Sequence, residues 1–289
     1  MKKLVALCLL IGLFLSGCAT GTVIKEEATE PANISEITSA RELTDFFESG
    51  GSSAHLKADI DMEDSMLKLT KARGPVEIAG NGYTISGSAP CVIRLEEGCS
   101  IALKSVTISG RQTGIGLLGS GTVAASDAVV TAQINAIQAA GTLTVASASS
   151  LTLTGGGSGI VAMGVCLQQD SALSVTATST AISTERGDLM LYPRAKVTCE
   201  AAGDNAVETD GTLILMEDTV LTANNTGEHN GVRVGSLQAK ESATLNAKGG
   251  INGVGLFLVE LYEDMTLKGM STPDVKIEAG KGKLTLEAQ

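Results

Sequence analysis

The stretch "DNAVETDGTLILMEDTVLTANN", residues 204–225, holds three short apolar runs separated by small polar residues. Its large apolar residues include Val207, then Leu213 and Leu215, then Val220 and Leu221. Within the runs leucines recur at alternate positions, as at Leu213 and Leu215, and a period of two is the signature of a strand. No helical spacing connects the runs. A single such unit has three strand-like pieces and no partner for their buried faces.

The chain repeats the unit. A turn residue, a small residue and an aliphatic residue recur as "TGI" (113–115), "NAI" (135–137), "SGI" (158–160), "TAI" (180–182), "NAV" (205–207) and "NGV" (230–232 and 252–254). The aliphatic residues are Ile115, Ile137, Ile160, Ile182, Val207, Val232 and Val254, at steps of 22, 23, 22, 25, 25 and 22. A further step of 23 back from Ile115 reaches Val92. Each motif is followed by an alternating pair, such as Leu143/Val145, Val165/Leu167, Leu189/Leu191, Leu213/Leu215 and Leu237/Ala239. A third run follows: "SLTLTG", "ALSVTA", "AKVTCEA", "TVLTANN", "ATLNAKG". Units of about 23 residues that bury their faces only against one another form a solenoid. The expected fold is all-β: a right-handed parallel β-helix with three strands per coil. The column Thr113, Asn135, Ser158, Thr180, Asn205, Asn230 and Asn252 is expected to stack in the turns, with Asn side chains bonding along the axis.

Composition agrees. Of the 289 residues 43% are hydrophobic but only 2% aromatic, with no Trp, so Val, Leu, Ile and Ala must do the packing. The 34 Gly residues are expected in turns with positive φ. The formal charge of −11 argues against nucleic acid and anionic lipid headgroups as partners.

The ends differ from the repeat. Within "TSARELTDFFESGG", 38–51, Ser39 and Glu42 fit a helix-capping box. Leu43, Phe46 and Phe47 make one apolar face, and Gly50–Gly51 stop the helix. This helix is expected to cover the first coil, where bare strand edges invite aggregation. "DVKIEAGKGKLTLEAQ" reads as a final hairpin or closing coil.

Residues 1–17 read as a signal peptide, with Lys2 and Lys3 before an apolar run from Leu4 to Leu15. "LSGC", Leu15–Cys18, resembles a bacterial lipobox. The resemblance implies lipid on Cys18 and an anchor in the bacterial cell membrane, facing outside the cytoplasm. An ordinary signal peptide is the alternative. Loss of the signal would leave 19 basic and 32 acidic residues, a charge of −13. Residues 18–35 read as the lipidated Cys and a tether, 36–75 as the capping helix and first strands, and 76–289 as the β-helix. Cys91, Cys99, Cys166 and Cys199 are scattered without a CxxC pair, so packed free thiols are expected and a zinc site is not. His55 and His229 read as turn or surface residues.

The stretch from "ITSARELTDFFESGG" through "IAGNGYTISG" and "SVTISG" resembles the start of pectate-lyase-like right-handed parallel β-helix proteins. Residues 113 to about 260 are similar to bacterial surface proteins with carbohydrate-binding β-helix domains. The resemblance implies a carbohydrate ligand or an adhesin role without catalysis; the alternatives are a polysaccharide lyase-like enzyme and a structural scaffold of the cell envelope. A lyase needs clustered carboxylates for calcium and a basic residue beside them. The best local cluster is Asp204, Glu208 and Asp210, with Glu185, Arg186 and Asp188 one coil earlier and Arg233 one coil later. Calcium is the cation it would take; no other cofactor is expected. Tyr83, Tyr192, Phe257 and Tyr262 are the few aromatic platforms for a sugar, with Tyr192 beside Pro193 in a turn. The binding candidates are Glu185, Arg186, Glu208, Asp210, Arg233 and Tyr192, with no catalytic residue among them.

Overall fold

The computed structural model describes residues 34–70, 75–240 and 242–249, and the backbone of four further strands, 254–261, 265–268, 277–279 and 284–287. Residues 33–289 form one compact unit. It is a parallel β-solenoid of roughly 23 residues per turn. Cys18, the signal and Tyr262 lie outside the described residues.

Three walls run along the coil. The first carries the recurring motif. Its strands include β4 (Leu67–Leu69), β7 (Cys91–Leu95), β10 (Thr113–Leu117), β13 (Asn135–Ala139), β16 (Ser158–Ala162) and β19 (Ile182–Thr184). The second includes β14 (Thr142–Val145), β17 (Gly164–Leu167) and β20 (Leu189–Leu191). The third is an 11-stranded sheet that includes β12 (Ala128–Ala132), β15 (Ser150–Gly155), β18 (Ala172–Ala177) and β21 (Lys196–Ala201). Every pairing is parallel and joins one coil to the next, as Ile137↔Ile160, Leu143↔Val165 and Leu153↔Val175 show. From β22 (Val207–Leu215) onward the first two walls run as one strand, with a register irregularity between Thr209 and Thr212.

The alternation in the sequence becomes the core. Ile93, Ile115, Ile137, Ile160, Ile182, Val207 and Val232 stack inside the first wall with no exposed surface. Burying each such side chain stabilises the fold by roughly 1.5–3 kcal/mol. The third wall's inner column runs Ile108, Val130, Leu153, Val175, Cys199, Ala223, Ala247. Cys199 is thus a packing residue, and burial pushes its thiol pKa up. All four described cysteines are buried, and none is in a disulfide.

Several expectations need correction. Ile115 pairs with Ile93, not Val92; that coil is one residue shorter than the average used to extrapolate. Strand β1 (Ile34–Ile37) precedes the helix and pairs with β2 (Ser53–Leu56), so chain read as tether already belongs to the coil. Of the two readings of the final segment, the pairings fit the closing coil and not the hairpin: β28 (Ile277–Ala279) lies parallel on β26 (Val254–Leu261) and β29 (Leu284–Glu287) on β27 (Met265–Lys268).

Helix α1 (Ala40–Glu48) buries Leu43 and Phe47 and packs against β1 and β4. The Ser39 hydroxyl accepts from Glu42 N–H. Glu42 Oε2 accepts from the Thr38 N–H at 2.7 Å and hydroxyl at 2.8 Å, so the box closes one residue earlier than its usual form. A Cβ on Gly51 would stand 2.2 Å from the Phe46 ring, so Gly51 makes room for that ring.

Glycine serves a different purpose from the one expected. Among the described residues nine non-glycine positions have positive φ, against Gly50, Gly82 and Gly98. Eight of the nine, Asn81, Ser105, Asp127, Ala148, Asp170, Arg194, Asp218 and Ser242, occur once per coil where the second wall bends into the third. Asn and Asp tolerate this conformation; Ala148 and Arg194 bear its cost. The motif glycines instead sit where a side chain has no room. A Cβ on Gly159 would lie 2.0 Å from Val175 Cγ1 and 2.5 Å from the Ala181 carbonyl oxygen.

Candidate functional site

On the first wall, the residue after each inward aliphatic faces out. Register places these residues in one column: Lys68, Arg94, Gly116, Gln138, Val161, Ser183, Glu208, Arg233. Parallel strands space them about 4.8 Å apart. Beside Gly116, where no side chain projects, the wall is hollowed into a groove of about 630 Å³. Its polar lining includes Arg94, Gln138 and Glu185; its apolar lining includes Met66, Leu118 and Met163. Leu118 is 51% exposed, an apolar side chain presented to the groove rather than to the core. Cys91 also lines it, with Sγ 3.9 Å from Met66 Sδ. Burial raises the Cys91 thiol pKa, and the nearby Arg94 charge opposes that rise.

The sequence candidates divide. Glu208 and Arg233 are register partners, and Arg233 Nη1 donates to Glu208 Oε1 at 2.5 Å. Asn205 Nδ2 lies 3.3 Å from the other Glu208 oxygen. Asp210 stands 3.7 Å from Arg233 Nη1. These three charged residues therefore form one cluster farther along the wall. Glu185 lines the groove. Its register differs from the one-coil match with Glu208, because Glu208 pairs with Ser183. Arg186, the next residue, is exposed outside the groove lining. Tyr192 is half-buried in the bend between the second and third walls, where its carbonyl accepts from Ala195 N–H, and it does not line the groove.

The remaining acidic candidates serve the fold. Asp204 accepts the Ser179 hydroxyl at 2.5 Å. Asp188 Oδ1 accepts the Thr212 N–H at 2.8 Å. Among the described residues no three His, Cys, Asp or Glu side chains gather as a metal site. The Asn stacking is present where both partners are described: Asn230 Nδ2 donates to Asn205 Oδ1 at 2.9 Å. His55 lies within β2 opposite Glu36, and His229 is exposed.

Sequence reasoning singled out neither Arg94, Gln138 and Leu118 nor Lys68. Three of the four carry a signal in hindsight: Lys68, Arg94 and Gln138 each directly follow an inward aliphatic, as Glu208 and Arg233 do.

No family model and no curated protein matches the chain. Two solved structures do. An "L. reuteri 53608 SRRP" aligns over 88% of this chain and 99% of its own, at 13% identity and a TM-score of 0.53. An "L. reuters 100-23 SRRP" aligns over 90% of this chain and 94% of its own, at 11% identity and a TM-score of 0.51. The likeness is one of fold. Among the described residues no helix is long and apolar enough to cross a membrane.

Proposed function

We propose that this protein is a cell-surface adhesin whose first-wall groove binds extracellular carbohydrate without catalysis, held at the membrane by lipid on Cys18. The groove is the observation that carries the reading. Polar groups on a rigid wall, at one coil rise per step, can meet successive hydroxyls of an extended saccharide, while Leu118 and Met163 supply an apolar contact for a ring face. The two structural neighbours are serine-rich repeat adhesins, which supports a surface role by analogy of fold.

The groove's contents support binding over bond cleavage. Glu185 is the one carboxylate in its described lining, whereas glycoside hydrolysis uses two, roughly 5–9.5 Å apart. Arg94 and Glu185 belong to β7 and to the end of β19, four coils apart, or about 19 Å at the usual strand spacing. That distance is too long for a shared acid–base step.

The test is a glycan array with the purified ectodomain, compared with Gln138→Ala and Leu118→Ala. Binding to a defined set of glycans, weakened at least tenfold by both substitutions, is expected. Unchanged binding in both variants would remove the groove from the account, and a blank array would remove carbohydrate.

A further inference from the structure

Elsewhere on this solenoid, cations reach across one coil to carboxylates. Lys57 meets Glu36 at 2.9 Å, Lys104 meets Glu77 at 2.6 Å, Arg194 meets Asp170 at 2.6 Å and Arg233 meets Glu208 at 2.5 Å. The start of the first-wall column breaks this pattern. Lys68 and Arg94 are direct register partners, two positive charges on neighbouring outward positions, and Gly116 follows. Like charges facing each other across a ladder are destabilising. Among the described residues neither makes an ion pair. Glu96 shares a small depression of about 210 Å³ with the two cations, and Glu48 and Asp64 line a neighbouring hollow with Lys68, yet none of these carboxylates comes within 4 Å of either cation.

Net charge makes the pair more unusual, since the chain carries 32 acidic residues against 21 basic ones. Other cations on the walls avoid such stacking: Lys196, on the third wall, lies between Ala172 and Val220. The pair is also continuous with the groove, because Arg94 lines both the depression and the groove.

We infer that Lys68 and Arg94 form an anion subsite at one end of the groove, and that the glycan it takes carries carboxylate or sulfate groups. The inference rests on the reading of the groove as a carbohydrate site. An acid group seated between the two cations relieves their repulsion and can accept from the Arg94 guanidinium in a bidentate manner. Sugar rings beyond it would then pass Gly116 toward Gln138 and Leu118. The binding is non-covalent and consumes no co-reactant.

The experiment uses one backbone in three forms: dextran, carboxymethyl-dextran and dextran sulfate, titrated against the ectodomain by calorimetry. The carboxylated or the sulfated form should bind at least tenfold more tightly than dextran, and which of the two binds identifies the acid group. Lys68→Gln with Arg94→Gln should abolish that preference. Lys196→Gln removes one positive charge from the third wall and should keep the preference. Without ligand, Lys68→Gln should raise the melting temperature, because it ends a like-charge contact. Equal binding of charged and neutral forms, or a preference that survives the double substitution, would overturn the inference alone. Binding of no saccharide in any form would overturn the carbohydrate reading and the inference with it. A lower melting temperature for Lys68→Gln would show that the contact is not repulsive, and would also overturn the inference.

Discussion

Arg233 reaches back one coil to the carboxylate of Glu208, whose second oxygen faces the Asn205 amide. Both side chains are about one-third exposed. Such pairs contribute up to about 1 kcal/mol. Glu208→Ala should therefore lower the unfolding free energy by about 1 kcal/mol, and a double-mutant cycle with Arg233→Ala should give a coupling of about 0.5 kcal/mol in urea titrations. A coupling near zero would mean that solvent, rather than the pair, satisfies both groups.

The once-per-coil bend makes a second prediction. Ala148 has a φ of 55° and is exposed, between the exposed Ser147 and the buried Ser149. Its substitution by glycine removes the Cβ clash of the left-handed region, worth roughly 1–2 kcal/mol, at an entropic cost of roughly 0.5–1 kcal/mol. Ala148→Gly should stabilise the protein by about 0.5–1 kcal/mol, measured as a higher urea midpoint with an unchanged slope. Asp170→Gly, at the equivalent bend, should not, since it also gives up the contact to Arg194.

The motif glycines make the opposite prediction. Gly159→Ala places a methyl group against Val175 and the Ala181 carbonyl. It should cost about 1–3 kcal/mol, the usual price of overpacking. Equilibrium unfolding checks this, and a neutral result would mean that β16 and β18 can separate without loss.

Acid should weaken the bend on the same side. Hydrogen bonds from Arg194 hold the Asp170 carboxyl below the ordinary carboxylate range, with burial acting the other way and the Arg194 charge adding to the lowering. A depressed folded-state pKa gives a contribution that is present above the unfolded value, about 3.9, and is lost as pH falls through the folded value. The stability gap between wild type and Asp170→Asn should be constant near neutrality and close on acidification. A gap that persists in strong acid would show that the carboxylate's charge is not what matters.

The thiols should be silent in the native protein. Cys91, Cys99, Cys166 and Cys199 have exposures of 9%, 5%, 2% and 0%, and burial disfavours the reactive thiolate at Cys91 and Cys199. A thiol reagent should label these four only after denaturant is added. Fast native labelling at Cys199 would contradict the third-wall packing.

Much of this architecture was readable because a solenoid writes its contacts at short, regular sequence distances. The motif column, the second-wall pairs and the third runs all fall in the register that spacing implies. The errors came where the coil departs from its average. The 22-residue coil between Ile93 and Ile115 displaced the extrapolated partner to Val92, and β1 before the helix has no repeat to announce it. Glycine's role was misjudged because φ depends on the bend, while the space beside Gly159 depends on Val175 from the next coil's third wall. The groove was the least legible part. Its lining comes from β7, β10, β13, β16 and the end of β19, and its defining residue, Gly116, acts by leaving a gap. Glu208 and Arg233 were found because opposite charges stand out in sequence. Lys68 and Arg94 stand 26 positions apart and meet only through β4 and β7.

The coil-to-coil ladder has a consequence for how such a molecule can change length. Each turn of chain touches only the turn before and the turn after. A tandem copy of one unit, spliced between equivalent bends such as Asp127 and Ala148, would meet matching neighbours at both junctions. It would push everything beyond it outward by about 4.8 Å, turning reach into a quantity set by gene duplication rather than by redesign of the interior.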